Sequence, residues 1–240
     1  MKENMKNISV IGLGSMGYGI AQSLIRSGYM VYGQDKNLLQ QKKIVEEGGQ
    51  GDEISYENLD AIIIVVLNEA QTREIIFGTD GIAAKLNKNT LVMVCTTVSP
   101  NFAKEMATLC ENKELLYLDA PISGGSKKSS EGKLSYMISG NKNALDKARP
   151  ILEATSETVF EFGEVVGAGS AMKAVNQMLA GVHIAAMAEA ITFGITQGIE
   201  PKRFLEVISK CAGSSWMLEN RAPHILSLIH ISEPTRPNFI

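Results

Sequence analysis

The feature that most restricts the fold of this chain is a glycine pattern between two short segments. Gly12, Gly14 and Gly17 follow a β-like segment over 7–12 and open a segment, 15–27, whose apolar residues recur at helical spacing. Glycines at this spacing allow a tight turn, close helix–strand packing and the approach of a phosphate to the helix N-terminus. The predicted cofactor-binding loop consists of Gly12, Leu13, Gly14, Ser15, Met16 and Gly17.

An acidic residue stands at the end of the second predicted strand. Asp35 lies 18 residues after Gly17. A carboxylate at this place can accept hydrogen bonds from both hydroxyl groups of a ribose, and it would repel a 2′-phosphate. The glycine pattern alone also occurs in ordinary turns, and Asp35 alone could cap a helix. Together the two features predict a site for NAD rather than NADP.

Strands and helices alternate through the first part of the chain. The segment 61–67, Ala-Ile-Ile-Ile-Val-Val-Leu, is apolar at every position, which is typical of a central parallel strand covered on both faces. Further apolar segments at 90–95 and 114–118 are separated by helical patterns. The alternation predicts an α/β fold with a doubly wound domain of the Rossmann type, which we place at residues 1–164.

The pattern changes to helices after residue 164. The segment 170–196 is alanine-rich and free of proline, and Pro201 stands where a following helix can begin. We interpret residues 165–225 as an all-helical domain for substrate binding and oligomerisation, so the intact protein is expected to be a homo-oligomer. His183 lies on the apolar helix and is expected to pack in the core rather than to act as a base.

The end of the chain has an unusual sequence. Residues 226–236 read LSLIHISEPTR, which matches the in-frame translation of a sequencing adapter. We therefore interpret residues 226–240 as a non-native tail and expect the helical domain to be incomplete in this chain. The alternative interpretation is an ordinary helix end followed by a native tail.

Composition argues against several classes of function. The net charge is −3 and no basic residues cluster, which is unlike a nucleic-acid-binding protein. We expect no membrane span, because the apolar segment 61–67 has only the length of a strand. We expect no metal site, since His, Cys, Asp and Glu do not cluster at ligand spacing. Three widely spaced cysteines predict a reducing, cytoplasmic location.

Two later motifs carry chemistry when they are combined with the glycine pattern. Residues 119–125 read DAPISGG, a glycine-rich loop whose consecutive N–H groups can hold an anion. Residues 167–176 read GAGSAMKAVN and place Lys173 in the first turns of the long helix. Taken alone, the first motif is equally compatible with an ordinary turn. The second, taken alone, is equally compatible with a solvated lysine.

In this combination and order the motifs resemble the β-hydroxyacid dehydrogenase family, over residues 7 to about 225. The resemblance implies that Lys173 is the catalytic general acid and base, that Thr97 lies by the nicotinamide and that Leu67 lines the cofactor cleft. It also implies a set of substrate-binding residues, namely Ser123, Gly124, Gly125, Asn176 and Gln177. The chemistry is reasonable, because burial and the helix N-terminus can lower the pKa of a lysine toward neutrality.

The resemblance further suggests a substrate. The stretches NEAQTREIIFGTDGIA, LAGVHIAAMAEA and GSSWMLENR resemble the branch of the family that oxidises L-threonate. Gln177 stands where many family members have an asparagine that meets the substrate, which argues against 3-hydroxyisobutyrate. A later lysine that closes over the cofactor in the family is expected to lie beyond this chain. The alternatives are a 3-hydroxyisobutyrate dehydrogenase, a tartronate semialdehyde (2-hydroxy-3-oxopropionate) reductase or, from another class, an inactive fragment or oligomerisation module.

Overall fold

The computed structural model describes residues 6–51 and 54–226 of the 240-residue chain. Of the predicted non-native tail, 226–240, only Leu226 lies within the described residues, at the end of a helix, and residues 227–240 lie outside them. The chain divides into two units, Met1–Ala174 and Val175–Ile240, and each is described here by itself. The domain boundary placed after residue 164 stays a prediction.

The first unit is built on a five-stranded parallel sheet with the spatial order β2-β1-β3-β4-β5. Its strands are β1 (Asn7–Ile11), β2 (Met30–Gln34), β3 (Ala61–Ile64), β4 (Leu91–Val94) and β5 (Leu116–Asp119). Its helices are α1 (Gly17–Arg26), α2 (Leu38–Glu46), α3 (Glu69–Phe77) and α4 (Pro100–Glu111). This arrangement confirms the predicted Rossmann-type α/β fold. The strand order reverses between β1 and β3, and open α/β sheets bind ligands in the crevice at such a point.

The central strands are apolar because both faces of the sheet are covered. Ile63 belongs to one core cluster, while Ile62 and Ile64 belong to the other, and all three side chains are fully buried. The strand predicted over 61–67 ends at Ile64, however, and Leu67 is 75% exposed. The apolar run continues past the strand because Val65 and Val66 still pack against the two core clusters.

A second sheet follows β5 in the same unit, with the order β6-β7-β8. Its strands are β6 (Ile122–Ser123), β7 (Leu134–Ile138) and β8 (Ser156–Glu161), and its helices are α5 (Gly125–Ser130) and α6 (Lys142–Thr155). The segment predicted as a loop over 119–125 thus contains the end of β5, all of β6 and the start of α5. Such short elements leave no periodic pattern in the sequence.

The remaining helices are α7 (Ala168–Thr196), α8 (Pro201–Ile208) and α9 (Trp216–Leu226). In the second unit a small apolar cluster joins them, formed by Met187, Ile191, Phe204, Leu218 and Ala222. His183 is exposed, so its predicted place in the core is wrong. The cluster with α8 and α9 begins one turn later on α7, at Met187.

The length of α7 does not agree with the expectation that no segment is long and apolar enough to span a membrane. By length and composition alone this helix could cross a membrane, since it carries only Lys173 and Glu189 as charged residues. The sequence shows no unbroken apolar run of that length, because Asn176, Gln177, His183 and Glu189 interrupt it. One such helix is weak evidence for a membrane, because apolar helices of globular proteins share these properties.

The burial of β3 predicts a large effect of a cavity at its centre. Ile63→Ala should lower the free energy of unfolding by about 2–5 kcal/mol, because the deleted carbons leave a space that the sheet cannot close. Leu39→Ala on α2 is the control, since Leu39 is 65% exposed, and it should change stability by less than about 0.5 kcal/mol. Urea unfolding measures both variants. Equal effects would contradict the central place of β3.

Candidate active site

Two of the three glycines after β1 are required by close backbone contacts. Gly12 has a φ of +95°, and a Cβ on it would collide with the carbonyl oxygen of Val65. A Cβ on Gly17 would collide with the carbonyl oxygen of Gly12. Gly14 differs, because a Cβ there would meet no atom within 4 Å. The turn therefore borders open space at Gly14, beside the start of α1, which fits a phosphate-bearing cofactor.

Asp35 is tied to this turn by backbone hydrogen bonds. The N–H of Leu13 donates to one carboxylate oxygen at 2.7 Å, and the N–H of Asn37 donates to the other at 2.8 Å. Each oxygen keeps a further lone pair for a hydroxyl group. The structure thus brings the predicted ribose-binding residue into contact with the predicted phosphate-binding loop.

A cavity of about 410 Å³ opens beside the glycine turn, a size typical of small-molecule sites. Helices α1 and α5 both line it, and hydrogen bonds hold them together. The hydroxyl of Ser129 donates to the carbonyl oxygen of Met16 at 2.6 Å, and Ser23 donates to the carbonyl oxygen of Ser129 at 3.0 Å. Gly19 permits this contact, because a Cβ there would lie 2.6 Å from the Ser129 hydroxyl. The glycine turn is therefore fixed against the helix that follows Ser123.

The predicted substrate loop is partly exposed. Ser123 ends β6 and is half-buried, whereas Gly124 and Gly125 are exposed. These glycines have φ values of +133° and +78°, a region that side chains other than glycine rarely adopt. The turn therefore places bare backbone next to the Ser123 hydroxyl.

Leu67 and Thr97 lie at the carboxyl edge of the parallel sheet, where the glycine turn also lies. Each comes three residues after its strand, β3 or β4, and each is exposed. The two loops are joined where the N–H of Val66 donates to the hydroxyl of Thr96 at 3.1 Å. The structure therefore brings both predicted nicotinamide-side residues to the crevice edge of the sheet.

Lys173 is nearly buried although its side chain carries an amine. Only 7% of the residue is exposed, and burial lowers the pKa of its ammonium group. No carboxylate within the described ranges is paired with Nζ. Removal of a positive charge from water without a partner is costly, which is why burial lowers this pKa.

The N-terminus of α7 contacts the carboxylate of Asp119, a role that the sequence analysis missed. Asp119 is fully buried and accepts hydrogen bonds from Gly167 and Ser170. The sequence signal was an acidic residue at the end of an apolar strand. The carboxylate offsets the partial positive charge of the helix, so burial, rather than the helix dipole, is the cause of the lowered pKa of Lys173.

Asn176 and Gln177 belong to the second unit. Asn176 is half-buried, and its amide donates to the side-chain oxygen of Gln177 at 3.4 Å. Their part in substrate binding stays a prediction. In the described part of the chain, no three His, Cys, Asp or Glu residues are grouped so as to hold a metal ion.

Comparison with known proteins relates both parts of the chain to dehydrogenases. Residues 7–163 match the family model of the NAD binding domain of 6-phosphogluconate dehydrogenase. Residues 167–230 match the model described as NAD-binding of NADP-dependent 3-hydroxyisobutyrate dehydrogenase.

Individual relatives cover most of the chain. L-threonate dehydrogenase of Cupriavidus necator is 41% identical over 224 residues, which span 92% of this chain and 75% of that protein. 3-Hydroxyisobutyrate dehydrogenase of Pseudomonas aeruginosa is 33% identical over 217 residues, spanning 89% and 72%. The crystal structure of 3-hydroxyisobutyrate dehydrogenase from Salmonella typhimurium superposes with a TM-score of 0.87 at 38% identity, covering 92% of this chain and 78% of that one. Sequence, fold and motif order agree that the chain belongs to the β-hydroxyacid dehydrogenase family and is an NAD-dependent oxidoreductase.

Proposed function

We propose that the protein oxidises L-threonate to its 2-oxo acid with NAD, and that Lys173 is the general acid and base. The observation that carries this proposal is the nearly buried, unpaired amine of Lys173 in the same unit as the Ser123 turn. Perturbed titratable groups of this kind are characteristic of catalytic sites. The relatives named L-threonate dehydrogenase support the choice of substrate.

Oxidation of an alcohol requires the removal of a hydroxyl proton and of a hydride from the same carbinol group. The neutral amine of Lys173 accepts the hydroxyl proton, and in the reverse direction its ammonium group returns that proton. NAD, when bound, accepts the hydride. A pKa below the usual value for lysine enlarges the fraction of neutral amine near neutral pH.

The remaining residues bind and orient in this proposal. The Ser123 hydroxyl and the backbone of Gly124 and Gly125 hold the substrate carboxylate. Asn176 and Gln177 are assigned as further substrate-binding residues. The glycine turn binds the pyrophosphate, and Thr97 and Leu67 lie on the nicotinamide side. Asp35 accepts hydrogen bonds from the ribose hydroxyls. Its negative charge favours NAD, although one matched family model describes an NADP-dependent enzyme.

3-Hydroxyisobutyrate is the second candidate substrate, because the superposed Salmonella structure carries that enzyme's name. Gln177 favours L-threonate, since it replaces the asparagine that many family members use. Comparison of kcat/KM for the two compounds separates the candidates, with L-threonate expected to be preferred by at least about tenfold, or ~1.4 kcal/mol. We also propose a cytoplasmic homo-oligomer, which the exposed apolar residues of α7 and the free cysteines support.

Removal of the amine should abolish most turnover. Lys173→Ala should lower kcat by about 100-fold or more, the usual range for loss of a general acid–base group. The dissociation constant of NAD, measured by fluorescence titration, should change little. Lys202→Ala is the control, because Lys202 is an exposed lysine on α8. Near-normal turnover of Lys173→Ala would remove Lys173 from the mechanism.

The buried amine should also be visible in the pH dependence of stability. Because the folded-state pKa of Lys173 lies below the usual 10.5, the unfolded chain binds more protons between these two values. The free energy of unfolding therefore rises with pH across that window. Below the folded-state pKa, the full cost of burying the charged amine remains. Lys173→Met should be more stable than the parent at neutral pH.

The stability difference between Lys173→Met and the parent should shrink as pH approaches 10.5, which urea unfolding at several pH values measures. Lys202→Met is the exposed control, and its difference from the parent should stay constant. A difference that grows with pH for Lys173→Met would contradict the burial of a charged amine.

Asp35 should determine the choice of cofactor. The parent should bind NAD at least about tenfold more tightly than NADP, and Asp35→Ser should weaken NAD binding by about tenfold, the equivalent of one or two lost hydrogen bonds. Isothermal titration with both cofactors measures this. Asp80→Ser, at an exposed loop position, should change neither affinity. Equal or tighter binding of NADP by the parent would rule out this role of Asp35.

A further inference from the structure

The carboxylate of Asp119 is surrounded by hydrogen-bond donors from two distant parts of the chain. One oxygen, Oδ2, accepts from the N–H of Gly167 at 3.1 Å, the N–H of Ser170 at 2.9 Å and the hydroxyl of Ser139 at 3.0 Å. The other oxygen accepts from the hydroxyl of Ser170 at 2.6 Å. Asp119 is fully buried, so each of these bonds is shielded from water. Charge-assisted bonds of this kind are the strong ones.

The first turn of α7 has little freedom to move on this support. The N–H of Gly169 donates to the Ser139 hydroxyl at 3.1 Å. A Cβ on Gly169 would collide with the carbonyl oxygen of Met137, so the helix backbone lies directly against β7. The backbone amides of residues 119 and 139 also pair with each other's carbonyl oxygens, at 3.1 and 2.9 Å. The ends of β5 and β7 and the start of α7 thus form one rigid junction.

This junction connects the two motifs on which the proposed chemistry depends. Asp119 is the last residue of β5, and Ser123, four residues later, is the last residue of β6. Ser170 lies three residues before Lys173, which is less than one helical turn. A displacement of the first turn of α7 therefore moves the lysine relative to the serine turn.

We propose that Asp119 is a positioning residue, which fixes the start of α7 and thereby holds the Lys173 amine at the Ser123 turn. The inference rests on the proposed role of Lys173. A carboxylate suits this position because all its neighbours donate. An asparagine side chain at this position would direct its NH2 group at neighbouring N–H and hydroxyl donors. Buried donors without acceptors destabilise the folded state.

The same support explains how Asp119 and Lys173, which are distant in sequence, can both be buried in the first unit without forming an ion pair. The negative charge of Asp119 is stabilised by amide and hydroxyl donors and by the α7 N-terminus. The amine of Lys173 has no such support, and burial lowers its pKa. The anchoring charge is therefore satisfied locally, which leaves the lysine able to exchange its proton.

The test is Asp119→Asn, with Asp60→Asn as the matched control. Asp60 accepts hydrogen bonds from the backbone N–H groups of Lys6 and Asn7, at 2.8 and 2.9 Å, just before β3 and away from the carboxyl edge of the sheet. Three measurements are made per folded molecule. They are kcat and KM with L-threonate and NAD, the dissociation constant of NAD, and the rate at which acetic anhydride labels Lys173 in the absence of cofactor. Mass spectrometry follows the labelling.

We expect Asp119→Asn to lower kcat by about tenfold or more, because small misplacements of a catalytic group are costly. The dissociation constant of NAD should stay within about twofold of the parent value, and labelling of Lys173 should become several-fold faster as the first turn loosens. Asp60→Asn should lose stability but keep the parent's kcat and labelling rate. Parent-like kcat and labelling in Asp119→Asn would overturn the proposal.

Two further variants keep the result decisive. If Asp119→Asn does not fold, Ser170→Ala removes only the 2.6 Å hydroxyl bond and should shift kcat and labelling in the same directions, by less. Parent-like values for Ser170→Ala would then overturn the proposal. Near-normal turnover of Lys173→Ala would instead sink the proposed role of the lysine, while the labelling rate in Asp119→Asn would still decide whether Asp119 anchors α7.

Discussion

The burial of the central parallel strands on both faces is the constraint on which the first unit depends. Side chains of β3 and β4 alternate between two apolar clusters, so neither face of these strands can carry polar chemistry. Polar residues that could contact a ligand therefore lie beyond the ends of these two strands. The glycine turn, Leu67 and Thr97 all follow the carboxyl ends of strands, where the reversal of strand order opens a crevice.

Close backbone contacts then determine where side chains are excluded. Gly12 and Gly17 are required because α1 lies against the turn and against Val65, whereas Gly14 borders free space. The first two glycines thus serve the fold, and the third leaves room for a ligand. Gly19 and Gly169 serve the fold in the same way, at the contacts of α1 with α5 and of α7 with β7.

The two buried ionisable groups Asp119 and Lys173 of the first unit have different surroundings. Asp119 is fully buried but is surrounded by donors, so its charge is stabilised where it lies. Lys173 is nearly buried with no such partners, and its pKa is lowered as a result. One charge holds the backbone in place, and the other is destabilised in a manner that suits proton transfer.

The sequence by itself determined the Rossmann-type fold, the glycine turn and the family, because each depends on local spacing or on apolar periodicity that a linear pattern records. It also identified Lys173 and Asp35 as candidates, since a motif marks the positions of both. It did not reveal β6, α5 or the exposure of His183, because short elements have no period and burial depends on which helices pack nearby. Only the tertiary structure decided that Asp119 contacts Gly167 and Ser170, about fifty residues away in the chain. Hydrogen bonds between distant residues leave no spacing in a sequence, so their effect on the lysine could be seen only after the chain had folded.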